Sequence, residues 1–255
     1  MKVRVLGCSG GIGGRHLRTT SLLVDHDILI DAGTGVEELS MAELKAIDSV
    51  FVTHSHLDHI ATLPMLVDTV GEFRDKPLTV YALSETIEVL RTHIFNWKVW
   101  PDFSEIPSAA KPFLHFVPVS LGETLVFGER RITVLPARHT VPAVGYLLDS
   151  GRSCLAFSGD TGENDAFWQE LNVAKNLRYV LIETAFPNAQ LKIALASRHL
   201  CPSMLASELT KLKTPAQIYV THLKPGHIEE TMREIEEQAA AFSPKMLQNN
   251  QIFDF

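Results

Sequence analysis

Residues 49–60 read SVFVTHSHLDHI, and the fold is decided by this stretch. Its first half is an apolar, β-branched run that reads, over Asp48–Thr53, as a buried strand. The strand runs out into His54-Ser55-His56-Leu57-Asp58-His59, which puts three imidazoles and a carboxylate within six residues. Beyond it, Ile60, Leu63, Leu66 and Val67 recur at helical spacing, so a helix is expected over His59–Val70. Side chains at i and i+2 of a strand point the same way. His54 and His56 therefore converge if extended geometry persists, while Asp58 and His59 face a second position beside them. The alternative is a polar turn whose histidines cap the helix. It would desolvate several polar groups without partners, at a cost of several kcal/mol. A pair of metal sites is the better reading.

Working outward, further ligand types recur at the ends of expected strands. His139 follows Arg131–Leu135, Asp160 follows Ser153–Phe157, and His222 follows Gln217–Val220. Singly, each histidine reads as well as a core or surface residue; together they suggest strand ends meeting at one edge. Other strands are expected at Lys2–Leu6, Thr20–Val24, Ile28–Ile30, Leu78–Tyr81, Thr124–Phe127, Ala143–Leu148 and Arg178–Ile182. Helices are expected at Ser84–Thr92, Ala166–Leu171, Ser203–Leu212 and Ile228–Phe242. Runs of strands, helix, strands and helix make an α/β chain with two sheets sandwiched between helices. The loop Gly7-Cys8-Ser9-Gly10-Gly11-Ile12-Gly13-Gly14 resembles a dinucleotide loop only superficially. The next regular element is a strand, so no helix N-terminus waits for a pyrophosphate, and close backbone approach beside the metal edge is the expected purpose of its glycines.

The 255 residues are expected to form one domain over 1–255, with an aromatic-rich insertion at about 92–116 (THIFNWKVWPDFSEIPSAAKPFLHF). That segment reads either as an ordinary packed loop or as a cover over the site or a join between subunits. With 45% hydrophobic and 21% charged residues, the chain can build a large core and is not disordered by composition. A net charge of −7 argues against tracking a long polyanion. A small anionic substrate stays open, because bound metals can make a site locally positive. Cys8, Cys154 and Cys201 are odd in number and far apart, which suits neither a disulfide framework nor a cysteine zinc site. The N-terminus lacks a signal-peptide apolar run and no segment has the length of a membrane span, so a cytoplasmic, non-membrane protein is expected.

The order H-x-H-x-D-H, later His, later Asp, final His resembles the metallo-β-lactamase superfamily over nearly the whole chain. The resemblance implies a four-layer αββα sandwich. It also implies two divalent metal ions, one held by His54, His56 and His139, the other by Asp58, His59 and His222, with Asp160 bridging. Five imidazoles favour zinc, with manganese or iron left open. With neutral imidazoles, two divalent ions, Asp58, Asp160 and a bridging hydroxide leave about +1. That charge suits a phosphodiester monoanion and a developing carboxyl oxyanion equally.

More specific stretches are Thr53–Ile60, HIFNWKVWPDF at His93–Phe103, SRHL at Ser197–Leu200 and THLKP at Thr221–Pro225. Together they resemble the class II cyclic-nucleotide phosphodiesterases. What this implies is hydrolysis of 3′,5′-cyclic AMP or GMP to the 5′-monophosphate by a hydroxide held between the metals. Asp58 then belongs to the catalytic centre. His199 is read as a hydrogen-bond donor to phosphate or a proton donor to the leaving oxygen, or else as a polar helix-start residue. Glu183 is read as orienting a histidine or as a structural carboxylate, and Asp31 as orienting a ligating histidine. Asn96, Trp97, Trp100 and His199 are the substrate-binding candidates, with plain packing as the alternative for the tryptophans. The expected partners are a small cyclic nucleotide and a second copy of the chain, with neither membrane nor large nucleic acid. Three other readings compete. A transfer-RNA 3′-processing endonuclease shares the metal motif, but 20 residues between His139 and Asp160 leave little room for an RNA-clamping arm. A lactonase or thioesterase would use the same metals, and a non-catalytic module would only bind a nucleotide.

Overall fold

The computed structural model describes residues 1–14 and 16–255. The N-terminal half forms β1 (Lys2–Gly7), β2 (Ser21–Val24), β3 (Ile28–Ile30), α1 (Met41–Ala46), β4 (Ser49–Phe51), α2 (Leu57–Ile60), α3 (Leu63–Val70), β5 (Leu78–Ala82), α4 (Ser84–Val89), β6 (Pro107–Ser108), β7 (Lys111–Pro112) and β8 (Leu114–Pro118). The remainder forms β9 (Thr124–Phe127), β10 (Arg130–Pro136), β11 (Val144–Asp149), β12 (Cys154–Phe157), α5 (Asp165–Val173), β13 (Leu177–Glu183), α6 (Leu191–Ser197), α7 (Pro202–Leu209), β14 (Gln217–Thr221), α8 (Ile228–Gln238), β15 (Lys245–Met246) and β16 (Ile252–Asp254). Two seven-stranded sheets result, in the orders β16-β1-β2-β3-β4-β5-β8 and β15-β14-β13-β12-β11-β10-β9.

Period-two alternation assigns each strand residue to a layer. Val3, Val5, Leu22, Val24, Ile28, Ile30 and Phe51 point between the sheets and meet Val134, Tyr146, Leu155 and Leu181 of the second sheet. Their neighbours Leu6, Leu23, Leu29, Val50 and Val52 point outward, under Leu63, Leu66 and Val67 of α3 and Ile87 of α4. On the far side, Val180, Ile182, Ile218 and Val220 pack beneath Phe167 and Trp168 of α5, Leu205 of α7 and Ile235 of α8. Three apolar layers between four structural layers give the αββα sandwich. Each large apolar side chain so buried contributes about 1.5–3 kcal/mol. One contact ties both sheets to the HSHLDH run: the buried Tyr146 hydroxyl donates to the Val52 carbonyl at 2.8 Å, and its ring meets Phe51 edge-on at 5.4 Å.

The helix expected over His59–Val70 is two helices. The Thr62 hydroxyl donates to the carbonyls of Ala32 and Gly33 at 2.9 and 3.0 Å, pinning the junction, and a proline opens α3. The segment 92–116 is also more regular than its composition suggests. Its end is β8, with Leu114 and Phe116 facing the outer core. Because β5 and β8 are parallel neighbours, the chain between them must cross from one sheet edge to the other. No helix among the described residues is long and apolar enough to cross a membrane.

Candidate metal centre

The C-terminal ends of β3, β4, β10, β12, β13 and β14 deliver Asp31, His54, His139, Asp160, Glu183 and His222 to one edge. Two turns there have no room for a Cβ. Gly159 (φ 59°) precedes Asp160, and a Cβ on it would lie 2.6 Å from the Val144 carbonyl oxygen. A Cβ on Gly10 would lie 2.3 Å from the His222 carbonyl oxygen, which is the close approach expected of the glycine loop.

Asp31 anchors the centre from below. It sits in the left-handed region at φ 59°, fully buried, and accepts from the Thr53 backbone N–H at 2.7 Å, the Thr53 hydroxyl at 2.8 Å and His59 Nδ1 at 2.7 Å. Since the Thr53 hydroxyl donates to Asp31, its oxygen accepts from His54 Nδ1 at 3.0 Å. His139 Nδ1 likewise donates to the Arg198 carbonyl at 3.2 Å. These acceptors take the Nδ1 proton of His54, His59 and His139 and so turn each Nε2 toward the centre.

Around that space the structure gathers His54, His56, His139 and Asp160 in one group and Asp58, His59, Asp160 and His222 in a second, the ligand atoms of each lying within 4.8 Å of one another. Asp160 belongs to both. Its Oδ2 is 3.6 Å from His54 Nε2, 3.3 Å from His59 Nε2 and 4.0 Å from His139 Nε2, while Oδ1 is 3.2 Å from His222 Nδ1. His56 Nδ1 lies 3.1 Å from His139 Nε2. Asp58 Oδ2 is 3.9 Å from His59 Nε2 and 3.7 Å from His222 Nε2.

At this centre His54 Nε2, His59 Nε2 and His222 Nδ1 are buried without hydrogen-bond partners among the described residues. Leaving such atoms desolvated costs about 1–3 kcal/mol each, and cations at the two groups would satisfy them. The electrostatics agree. Burial drives the pKa of His54 and His222 well below the ordinary imidazole value and that of His139 down to about 4, so their lone pairs are free. Burial opposes the charge on Asp160, yet the surrounding imidazoles of His222, His59 and His54 outweigh it and hold the carboxyl well below its usual range. His59 is pushed well above its usual value despite burial, by the carboxylates of Asp160 and Asp31. The centre asks for positive charge.

Beside it, Glu183 Oε1 accepts from His199 Nδ1 at 2.7 Å and from the Thr161 N–H at 3.0 Å. The His199 ring stacks on His222 at 5.1 Å and lies 4.8 Å from His139. Burial raises the Glu183 pKa; for His199, burial is overcome by the Glu183 charge, and its pKa rises. Thr53, Arg198 and Lys224, which the sequence does not single out, also contact residues of the centre. Arg198 Nη1 donates to the His139 carbonyl at 2.6 Å, and Lys224 Nζ reaches 3.5 Å from His222 Nε2. Motif position was the available signal for all three.

Asn96, Trp97 and Trp100 make no hydrogen bond or aromatic contact with the two ligand groups among the described residues. Helix α4 leaves the metal edge from the end of β5 and continues to Ile94, about 16 Å of helix. Phe113 and Phe103 then bond to Leu78 and Leu114 at the starts of β5 and β8. Residues 95–113 thus sit at the opposite edge. Asn96 is occupied by its own loop, donating to the Thr92 carbonyl and accepting from the Lys98 and Val99 N–H groups.

A family model described as the beta-lactamase superfamily domain matches residues 26–242. A probable 3′,5′-cyclic-nucleotide phosphodiesterase of Yersinia pestis is 28% identical, over 88% of this chain and 78% of its own length. A ribonuclease Z of Clostridium beijerinckii is 32% identical over 56% of this chain and 47% of its own. The crystal structure of unliganded yeast PDE1 superposes with a TM-score of 0.82 at 18% identity, covering 100% of this chain and 99% of that one.

Proposed function

This chain belongs to the β-lactamase superfamily and has the metallo-β-lactamase fold, and on that premise we propose that it is a phosphodiesterase dependent on two divalent ions, hydrolysing 3′,5′-cyclic nucleotides to 5′-monophosphates. The observation that carries the reading is the pair of ligand groups sharing Asp160, with the Glu183–His199 pair beside it. His54, His56, His139 and Asp160 would hold one ion, and Asp58, His59, His222 and Asp160 the other. The five imidazoles make zinc the favoured metal. Divalent ions held there would supply Lewis acidity and a water acidified enough to ionise near neutral pH.

The chain's own residues do the rest. Asp31 and Thr53 hold two imidazoles in register. As the P–O3′ bond breaks, the departing oxygen needs a proton, and His199 is placed to give one from Nε2. Glu183, bound to Nδ1, orients the ring and stabilises its protonated form. The phosphodiesterase-named relative supports this substrate class. The ribonuclease Z relative favours a second reading, a transfer-RNA 3′ endonuclease, but β11 and β12 are joined only by residues 150–153, where such an arm would be needed.

The test is product identification after incubating zinc-loaded protein with 3′,5′-cAMP, 3′,5′-cGMP, 2′,3′-cyclic nucleotides and a precursor transfer RNA. We expect 5′-monophosphates from the 3′,5′-cyclic substrates. Cleavage of the RNA with both 3′,5′-cyclic nucleotides intact would replace this reading with the endonuclease.

A further inference from the structure

On the His199 side of the metal centre lies a cleft of about 130 Å³ lined by Arg138, Glu163, Leu195, Arg198, His199 and Met204. At about 30 Å³ per water, it has room for one flat heterocycle but not for a whole nucleoside. Arg138 and Arg198 immediately precede His139 and His199, so cleft and metal centre share a wall.

Three observations give the cleft its chemistry. Arg198 is held in the left-handed region at φ 53° and tied to His139 through both its guanidinium and its carbonyl, which fixes where its remaining N–H groups can reach. The Arg138 backbone is anchored to the Thr161 hydroxyl at 2.9 Å, while its guanidinium makes only a 3.5 Å contact with the Glu163 carbonyl. The Glu163 carboxylate has no hydrogen bond or ion pair among the described residues, and His199, only 6% exposed, keeps Nε2 without a partner among them.

Two guanidiniums thus offer donors, one carboxylate offers acceptors, and Leu195 with Met204 supplies apolar wall. That set complements guanine. Its O6 and N7 are both acceptors, the pair a guanidinium reads, and its N2 amino group is a donor suited to a carboxylate. Adenine puts a donor, N6, where guanine has O6.

We propose that this cleft is the base subsite of the phosphodiesterase and that it selects guanine, making 3′,5′-cGMP the preferred substrate over 3′,5′-cAMP. The proposal rests on the phosphodiesterase reading above. The test compares kcat/KM for the two cyclic nucleotides in metal-loaded full-length protein and in Glu163→Gln and Arg138→Gln, with metal content and melting temperature measured on the same samples. A phosphodiester without a base, bis(p-nitrophenyl) phosphate, normalises each preparation. The unaltered protein should favour cGMP about 10-fold or more, and both substitutions should bring the ratio toward one, chiefly through KM. A ratio of one or below in the unaltered protein, or a ratio unmoved by both substitutions, overturns the proposal. So does an equal loss of both nucleotides in Arg138→Gln with no effect of Glu163→Gln, which would mark a general anion site. If neither cyclic nucleotide is hydrolysed, the phosphodiesterase reading fails by itself. Calorimetric titration with GMP and AMP then decides the cleft separately: tighter GMP binding abolished in Glu163→Gln retains guanine selection, and equal affinities remove it.

Discussion

The two edges of the first sheet carry the two richest stretches of the sequence, HSHLDH at one and the aromatic segment at the other, and they differ in what their polar atoms do. At the metal edge, Asp31 and Thr53 hold Nδ1 of His54 and His59 while Nε2 of both is buried with no partner among the described residues. At the opposite edge, Asn96 and Asp102 are spent on their own loop, and Phe95 and Phe103 fill the outer core. The indole N–H of Trp100 is that segment's one buried unpartnered atom among the described residues. A donor set with atoms left over is built for a ligand; one that closes on itself is built for packing.

The harshest way to break this contrast is at Asp160, the carboxylate common to both ligand groups. Asp160→Ala should reduce metal content at both groups and lower kcat/KM by at least about 10³-fold; plasma emission spectrometry checks the first and cyclic-nucleotide turnover the second. Full metal content with near-normal turnover would remove Asp160 from the centre. Next comes His199→Ala, expected to lower kcat by about 10²–10⁴-fold with metal content intact. Turnover near that of the unaltered protein with the metals still bound would take His199 out of the mechanism. A smaller effect is expected for Asp31→Asn, which touches the centre only through His59 and Thr53. Metal affinity should fall about 10- to 100-fold, read by competition with a chromogenic chelator, and an unchanged affinity would make Asp31 a folding residue only.

How much of this was legible follows the range of the interactions. The HSHLDH run and the strand ends carrying His139, Asp160 and His222 could be read because alternation and ligand type are local. Helix α1 carries a local signal too, the reciprocal capping box of Ser40 and Glu43. β8 was hidden by the aromatics and prolines around it. The two- and three-residue strands β15 and β16 draw their stability from neighbours, not from any pattern of their own. Nothing local showed that β5 and β8 lie parallel, and that single non-local pairing makes the segment bearing Asn96, Trp97 and Trp100 a crossover between them.

The mildest substitution tests that pairing. Trp97 is 61% exposed and lies on the crossover after α4, and the β5–β8 pairing leads us to expect that its indole stays clear of the metal edge of its own chain. Trp97→Ala should therefore change stability by no more than about 0.5 kcal/mol and kcat/KM for a cyclic nucleotide by less than about twofold, as measured by thermal melting and steady-state kinetics. A loss of about tenfold or more with an unchanged melting temperature would have one reading consistent with the topology: the indole reaches the substrate of a second copy of the chain. Repeating the kinetics across a dilution series settles that case, because a contact made between copies must weaken as the copies separate, whereas one made within a chain is indifferent to concentration.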